Sequence, residues 1–507
     1  MSENMHIKYL DLFKKITLLN ITKFVLYVLV VELIIGGGGR YLVLPFSLSI
    51  RMVLIGLGII LWMCCLFRKQ VKISNIKKEV LFFSLFMGLF VPIMGSIVGF
   101  LEGNNIRNIF ADANGYVFYF YIIIFASIFN SKEDLKRLFY VFLGSILIWG
   151  IFSLMVFILS SVHILDIRHI GYILKKLGYG GIIGIMPNKI YRFFTEGSLF
   201  LQVGLAFIWG TYLFKKDFTF KKTSIFILGT FLSLLVITIT YTRGFWLAVI
   251  AEVLAFITFI NFKSKLIFIS TLLFLFFSSI FISSYIFHFS LTDYYRNRLL
   301  SSIPANLDLL DVDQIPSESV ELDEKSNVDN KIDSSKEASV KTKTSKDVKE
   351  LAQEKTKEDD TRSDDVKKAD PYSAQYRVEM YKILIEKIKN RPILGYGFGK
   401  NFEELEGNYS YELSYLDMIT KFGIPAFLIW LIILSYFLFL TLFKWLREKS
   451  NQLNYLMLSF TIGIGSILVT GFFNPFLVSS TGVLSIVLYL CFLNFQLTDK
   501  EGKSFKL

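Results

Sequence analysis

The residues best suited to chemistry are arginines set at the ends of apolar runs. They are Arg40, Arg51, Arg192, Arg243 and Arg377. Arg192 stands in Tyr191-Arg192-Phe193-Phe194-Thr195-Glu196-Gly197, Arg243 in the short turn Tyr241-Thr242-Arg243-Gly244, and Arg377 opens an amphipathic segment. A guanidinium stays charged when partly desolvated, and its planar fork makes two parallel hydrogen bonds to a phosphate, so this residue type points to phosphate chemistry. For any one of these arginines the competing reading is interfacial snorkelling, in which the stem lies in apolar surroundings and the head stays in water. Arg243, in a tight turn against the charge bias of its loop, favours function. Three ionisable residues fall inside apolar runs: Glu32, Arg51 and Glu252. Glu32 and Arg51 come at similar depth, and an unpaired charge there is costly, so they are expected to pair as a structural ion pair. Glu252 is either a proton-relay group or a hydrogen-bonded interior carboxyl.

Other chemistries find little support. His163, His169 and His288 are not spaced as a metal cluster, and no Ser-His-Asp set emerges. Cys64, Cys65 and Cys491 lie in apolar runs and read as small hydrophobes, not a disulfide framework. Gly395, Gly397 and Gly399 do not have dinucleotide-motif spacing and follow no strand; they suit close approach of backbone to a ligand or a helix. No metal and no cofactor are expected.

These residues must be positioned by membrane helices. The chain has 507 residues, 53% hydrophobic and only 19% charged, with mean hydropathy +0.53. The net charge of +12 does not indicate nucleic acid, because the basic residues cluster in short loops between apolar runs. No cleavable signal peptide is expected before the first span. The runs predict an all-α polytopic membrane protein of about twelve transmembrane helices. They are placed at 21–37, 46–67, 80–101, 115–129, 136–160, 197–214, 223–241, 244–262, 265–287, 422–445, 453–473 and 476–495. Every second loop is lysine-rich: Lys8 to Lys23, Arg68 to Lys78, Lys132 to Arg137, Lys215 to Lys222, Lys263 and Lys265, Lys444 to Lys449, and Lys500 to Lys506. That pattern puts both termini in the cytoplasm and the arginine-bearing loops outside.

Three parts follow. Residues 1–287 form an N-terminal membrane bundle of about nine helices with an outer loop at 161–196. Residues 288–421 form a large extracytoplasmic loop, and residues 422–507 the C-terminal helices. Between Arg296 and Pro371 there is no aromatic residue, though aromatics make up 16% of the chain. About 307–370 therefore reads as a disordered insert that cannot bury enough apolar surface to offset its ordering entropy. Residues 371–421 read as ordered. Asp370-Pro371 can start a helix, and Val378, Tyr381, Leu384, Ile385 and Ile388 recur at helical spacing until Asn390-Arg391-Pro392. This amphipathic helix is expected on the membrane surface or over the bundle.

Several short motifs, in order, resemble the bacterial O-antigen ligase and polysaccharide (repeat-unit) polymerase superfamily. They are Gly36-Gly37-Gly38-Gly39-Arg40 with Ser49-Ile50-Arg51, the Arg192 loop, Thr242-Arg243-Gly244, Arg377 through Gly399, Glu412-Leu413-Ser414-Tyr415-Leu416 with Lys421-Phe422-Gly423-Ile424, and Asn474-Pro475. The resemblance implies a C-type glycosyltransferase-like fold. It also implies transfer of glycan from undecaprenyl diphosphate to an acceptor hydroxyl at the outer face of the bacterial cytoplasmic membrane. Ligases of that family carry a histidine where this chain has Glu412, and the glutamate resembles the repeat-unit polymerases. On that likeness Glu412 is the base and Arg243 acts on the diphosphate with Arg192, Arg377 and Arg40, while Tyr415 positions the sugar. Partners so implied are the undecaprenyl-diphosphate-linked oligosaccharide, the bilayer, a flippase and a chain-length regulator. Two other functions stand beside the polymerase: ligase-type transfer of finished glycan to a lipid or wall acceptor, and a transporter or flippase, which would need Glu252.

Overall fold

The protein is described from a computed structural model. It describes residues 17–36, 43–44, 48–161, 183–185, 191–193, 196–214, 220–240, 242–260, 262–287, 376–405, 411–448 and 452–498. The insert at 307–370, Arg40 and most of the 161–196 loop lie outside the described residues.

The architecture is helical, with two short antiparallel hairpins. In order the helices are α1 (Leu18–Ile35), α2 (Ile50–Phe67), α3 (Lys78–Leu101), α4 (Ile106–Ile128), α5 (Lys132–Ser161), α6 (Leu199–Phe214), α7 (Phe220–Thr240), α8 (Arg243–Phe259) and α9 (Phe262–Phe287). They continue as α10 (376–390), α11 (Ser414–Arg447), α12 (Gln452–Thr470) and α13 (Ser480–Thr498). Strand β1 (Val43–Leu44) pairs with β2 (Leu48–Ser49), and β3 (Ile183–Ile185) with β4 (Tyr191–Phe193). Helices occur at every apolar run singled out in the sequence, and among the described residues 10 are long and apolar enough to cross a membrane. Of the other two, α6 is a shorter apolar helix and α8 has 17 residues. The chain is a polytopic membrane protein.

Burial sorts the helices. The span of α13 is 89% buried and those of α2 and α9 are 22% buried, so α13 is central and the other two are peripheral. Helix α12 packs against α6 and α8. A Cβ on Gly463 would lie 3.2 Å from the Val203 Cα, so that small residue brings α12 and α6 close, as membrane helix packing requires. Side-chain caps start several helices: the Thr17, Ser49 and Asn105 side chains accept from the backbone N–H of Asn20, Met52 and Arg107.

Three helix starts and one buried stripe differ from the sequence expectation. Helix α4 begins at Ile106, capped by Asn105, not at 115, because the polar run Arg107, Asn108, Asp112 and Asn114 belongs to the helix. Arg243 is the first residue of α8, not a turn residue. Helix α11 begins at Ser414, not 422, and breaks at Gly423, whose φ of +82° only glycine takes readily. In α10 the buried stripe is Met380, Leu384 and Ile388, while Val378 and Tyr381 are exposed.

Candidate functional site

One connector brings together the two helix starts next to Arg243 and Glu412. Between α12 and α13 the chain makes a turn, Gly471 to Asn474, and a single 3-10 turn, Pro475–Val478. The Ser414 hydroxyl, at the start of α11, donates to the Asn474 carbonyl at 2.6 Å. A Cβ on Gly244, at the start of α8, would lie 2.8 Å from the Asn474 Nδ2, so glycine there admits the amide. Gly115 of α4 meets the Val478 carbonyl, where no side chain fits. Arg51 reaches the Ser480 hydroxyl at 3.4 Å and donates from Nε to Glu32 at 2.8 Å. The α8 start that bears Arg243 and the α11 start next to Glu412 therefore meet on this connector, and Arg51 of α2 reaches the first residue of α13 just beyond it.

Glu412 lies two residues before α11 and is half exposed, and it accepts from the Arg377 Nε at 2.7 Å. Arg377 comes from the first turn of α10, so the pair joins two separate pieces of the long loop. Arg243 is half-buried at the α8 start. The Thr242 hydroxyl donates to the Thr240 carbonyl and makes no cap there. The Asn474 Nδ2 beside Gly244 is buried and finds no acceptor among the described residues. Tyr415, in the first turn of α11, donates its hydroxyl to the Leu468 carbonyl at 2.7 Å. Its ring centroid lies 4.5 Å from that of Phe472, which is 57% exposed. Arg192 lies in β4, opposite Gly184 in the hairpin register, and β4 runs beside α7. Glu252 is buried on α8 with Ser466 of α12 beside it.

Sequence reading missed a buried charge cluster on α4 and α11. The Lys421 ammonium lies 2.7 Å from Asp112 Oδ1 and 2.9 Å from Asp417 Oδ1, and Asp112, Asp417 and Lys421 are only 7%, 0% and 1% exposed. Asp112 accepts from the Gly399 N–H at 2.7 Å, and Asp417 from the Tyr411 N–H at 3.4 Å. The glycine strip threads between helices: Tyr396 and Gly397 donate to the Thr420 and Lys421 carbonyls, and Phe398 to that of Gly95. Gly395, Gly397 and Gly399 all take positive φ, and a Cβ on Gly397 would lie 2.1 Å from the Gly99 nitrogen. The glycines serve approach to helices here. Asp112 escaped notice because its span was started too late. Lys421 did so because Asp112 lies 309 positions off in sequence and the start of α11, which carries the i,i+4 partner Asp417, was placed at 422.

Outside the spans, two exposed ion pairs tie the loop down. Lys387 donates to Glu404 at 2.6 Å and Arg391 pairs with Glu102. Those hydrogen bonds hold the Glu404 and Glu102 carboxyls below the usual carboxylate range.

Residues 228–431 match the O-antigen ligase family model. The match covers less than half of the chain and bears out the superfamily resemblance drawn from the motifs, with a glycosyl-transferring activity in general. Arg243, Arg377, Glu412 and Tyr415 lie inside it, and Arg40, Arg192 and Asn474 outside it. No curated protein matches the chain.

Proposed function

From the O-antigen ligase match as premise, we propose that the protein polymerises undecaprenyl-diphosphate-linked oligosaccharide repeat units at the outer face of the bacterial cytoplasmic membrane. The glycan passes from one lipid diphosphate to an acceptor sugar hydroxyl. One observation carries the reading: the connector at Asn474 brings the Arg243 helix start against the segment that holds Glu412 and its partner Arg377. The chemistry requires that set. The anomeric carbon already bears a diphosphate leaving group, so catalysis consists of stabilising the charge that develops on departure and removing the acceptor's proton. Arg243, with the Asn474 amide beside it, supplies donors for the diphosphate. Arg377 alternates between Glu412 and a phosphate oxygen, and the resemblance assigns Arg192 and Arg40 to the same diphosphate as further donors. Glu412, half exposed and reachable by an acceptor, takes the hydroxyl proton. Tyr415 and the exposed Phe472 ring against it offer the aromatic surface on which a sugar stacks. Guanidinium groups fill the role a metal would otherwise have at the diphosphate.

The ligase reading, with finished glycan moved to a lipid or wall acceptor, is kept because the matched family is described by that activity. Glycans extracted from a deletion strain separate the two. Polymerase loss leaves single repeat units on the lipid carrier. Full-length glycan accumulating on the carrier, with none on the final acceptor, would replace the polymerase with the ligase.

A further inference from the structure

The buried cluster holds one carboxylate more than its ammonium balances. Asp112 and Lys421 alone would make a neutral pair at 2.7 Å, yet Asp417 adds a second carboxylate at 2.9 Å and leaves the set net negative. All three side chains are more than nine-tenths buried. A surplus buried charge is costly, and buried ion pairs are poor devices for stability alone. Asp417 must therefore do something the neutral pair does not.

Its further contact shows what. Asp417 accepts from the backbone N–H of Tyr411, the residue immediately before Glu412. Tyr411 is itself buried: its hydroxyl donates to the Lys400 carbonyl at 2.8 Å and its ring stacks on Phe402. On the other side of Glu412, Ser414 is fixed by the Asn474 carbonyl, and the Leu413 carbonyl accepts from the Asp417 N–H at 2.9 Å. The exposed Glu412 is thus suspended between two anchored neighbours: the Asp417 carboxylate accepts from Tyr411, while the bond to Leu413 is a helical backbone bond that any residue at 417 would make. The far end of the α10 segment is tied to α11 as well: beyond α10 the Pro392 carbonyl accepts from the Ile424 N–H at 2.8 Å, just past the break at Gly423.

We infer that Asp417 is a positioning residue, which fixes the Glu412 carboxylate against Arg377 and the acceptor hydroxyl by holding the Tyr411 backbone. The inference rests on the reading of Glu412 as base. It concerns geometry at the reacting atoms, where a displacement of about 1 Å costs on the order of 10²-fold in rate.

The test uses the purified full-length protein in lipid nanodiscs, with lipid-linked repeat units extracted from the deletion strain as substrate. Asp417→Leu keeps the neutral Asp112–Lys421 pair and removes the Tyr411 anchor. Asp417→Asn keeps a carbonyl that accepts from Tyr411. The expected result for Asp417→Leu is a melting temperature within about 4 °C of wild type, a kcat lower by ~10²-fold and a KM changed by less than about twofold. Asp417→Asn restores kcat to within about threefold of wild type. Should Asp417→Leu not fold, Asp417→Ala is read in its place. Wild-type kcat in the apolar variant, failure of Asp417→Asn to rescue, or collapse of both apolar variants would overturn the proposal and leave Asp417 a structural residue. Glu412→Gln, run in parallel, separates the two levels. If it turns over normally, the base reading itself fails. If it is inactive while Asp417→Leu is fully active, only the positioning role is lost.

Discussion

Glu412 and Asp417 lie five residues apart on one segment and differ in almost every physical respect. The Asp417 side chain is fully buried, with an ammonium and a backbone N–H around it. The Glu412 side chain is 47% exposed and held by a single guanidinium that is itself part exposed. A carboxylate enclosed by fixed donors cannot exchange partners, whereas one at a rim can release its arginine to an incoming anion and accept a proton. On the proposed reading the two acids divide the labour between architecture and chemistry, with Asp417 in the first turn of α11 and Glu412 two residues before it.

The sharpest way to break that division is to remove the shared cation. Lys421→Met leaves two buried carboxylates facing each other without compensation, a change that costs about 3–5 kcal/mol. The protein is expected to be lost from the monodisperse peak in size-exclusion chromatography, or to melt far below wild type. Replacing all three members by apolar residues, as Asp112→Leu, Lys421→Met and Asp417→Leu together, restores much of that stability, since no charge is then left buried. A single Lys421→Met variant as stable as wild type would remove the cluster's architectural role.

Next comes the glycine strip that the cluster grips. Gly397→Ala places a side chain at a φ of +72° and drives it into the α3 backbone at Gly99. The left-handed conformation alone costs roughly 1–2 kcal/mol. A clear drop in melting temperature is expected, with the loop from 376 to 405 exchanging amide hydrogens faster. Gly465→Ala, where nothing lies within 4 Å of the added carbon, should leave both unchanged.

The smallest effect belongs to the exposed pairs Lys387–Glu404 and Arg391–Glu102. Both carboxyls titrate below their unfolded values, chiefly through the hydrogen bond from the facing cation. Their contribution is therefore present above the unfolded carboxylate pKa of about 4.3 and is lost as pH falls through the lowered folded value. Hydrogen exchange at 376–405, corrected for intrinsic rate, should be flat from neutral pH to about 5 and accelerate only below about 4. Loosening that begins near neutrality would show that something other than these carboxylates holds the loop.

Much of the fold was legible because long apolar runs have one physical solution in a bilayer, and the helices lie where those runs are. The glycines were legible too, since Gly395, Gly397 and Gly399 take the conformations that only glycine adopts freely. The buried cluster was not. Asp112 and Lys421 are 309 positions apart, and no local periodicity marks such a pair. The polar residues that begin α4 also disguised it as loop. Asn474-Pro475 was visible as a motif, but its role as the meeting point of the α8 and α11 starts is a tertiary fact. Glu252 was expected to face the interior and is buried, beside Ser466 of α12.

The central claim is that chemistry occurs at the rim, not at the buried carboxyl of α8. It is tested most directly by complementing a deletion strain with Arg243→Ala, Glu412→Gln or Glu252→Gln at equal protein levels and sizing the surface glycan on a gel. The account predicts single repeat units from the first two variants and a full ladder from Glu252→Gln. Full ladders from both rim variants, with failure of Glu252→Gln alone, would contradict it and make a transporter the better account.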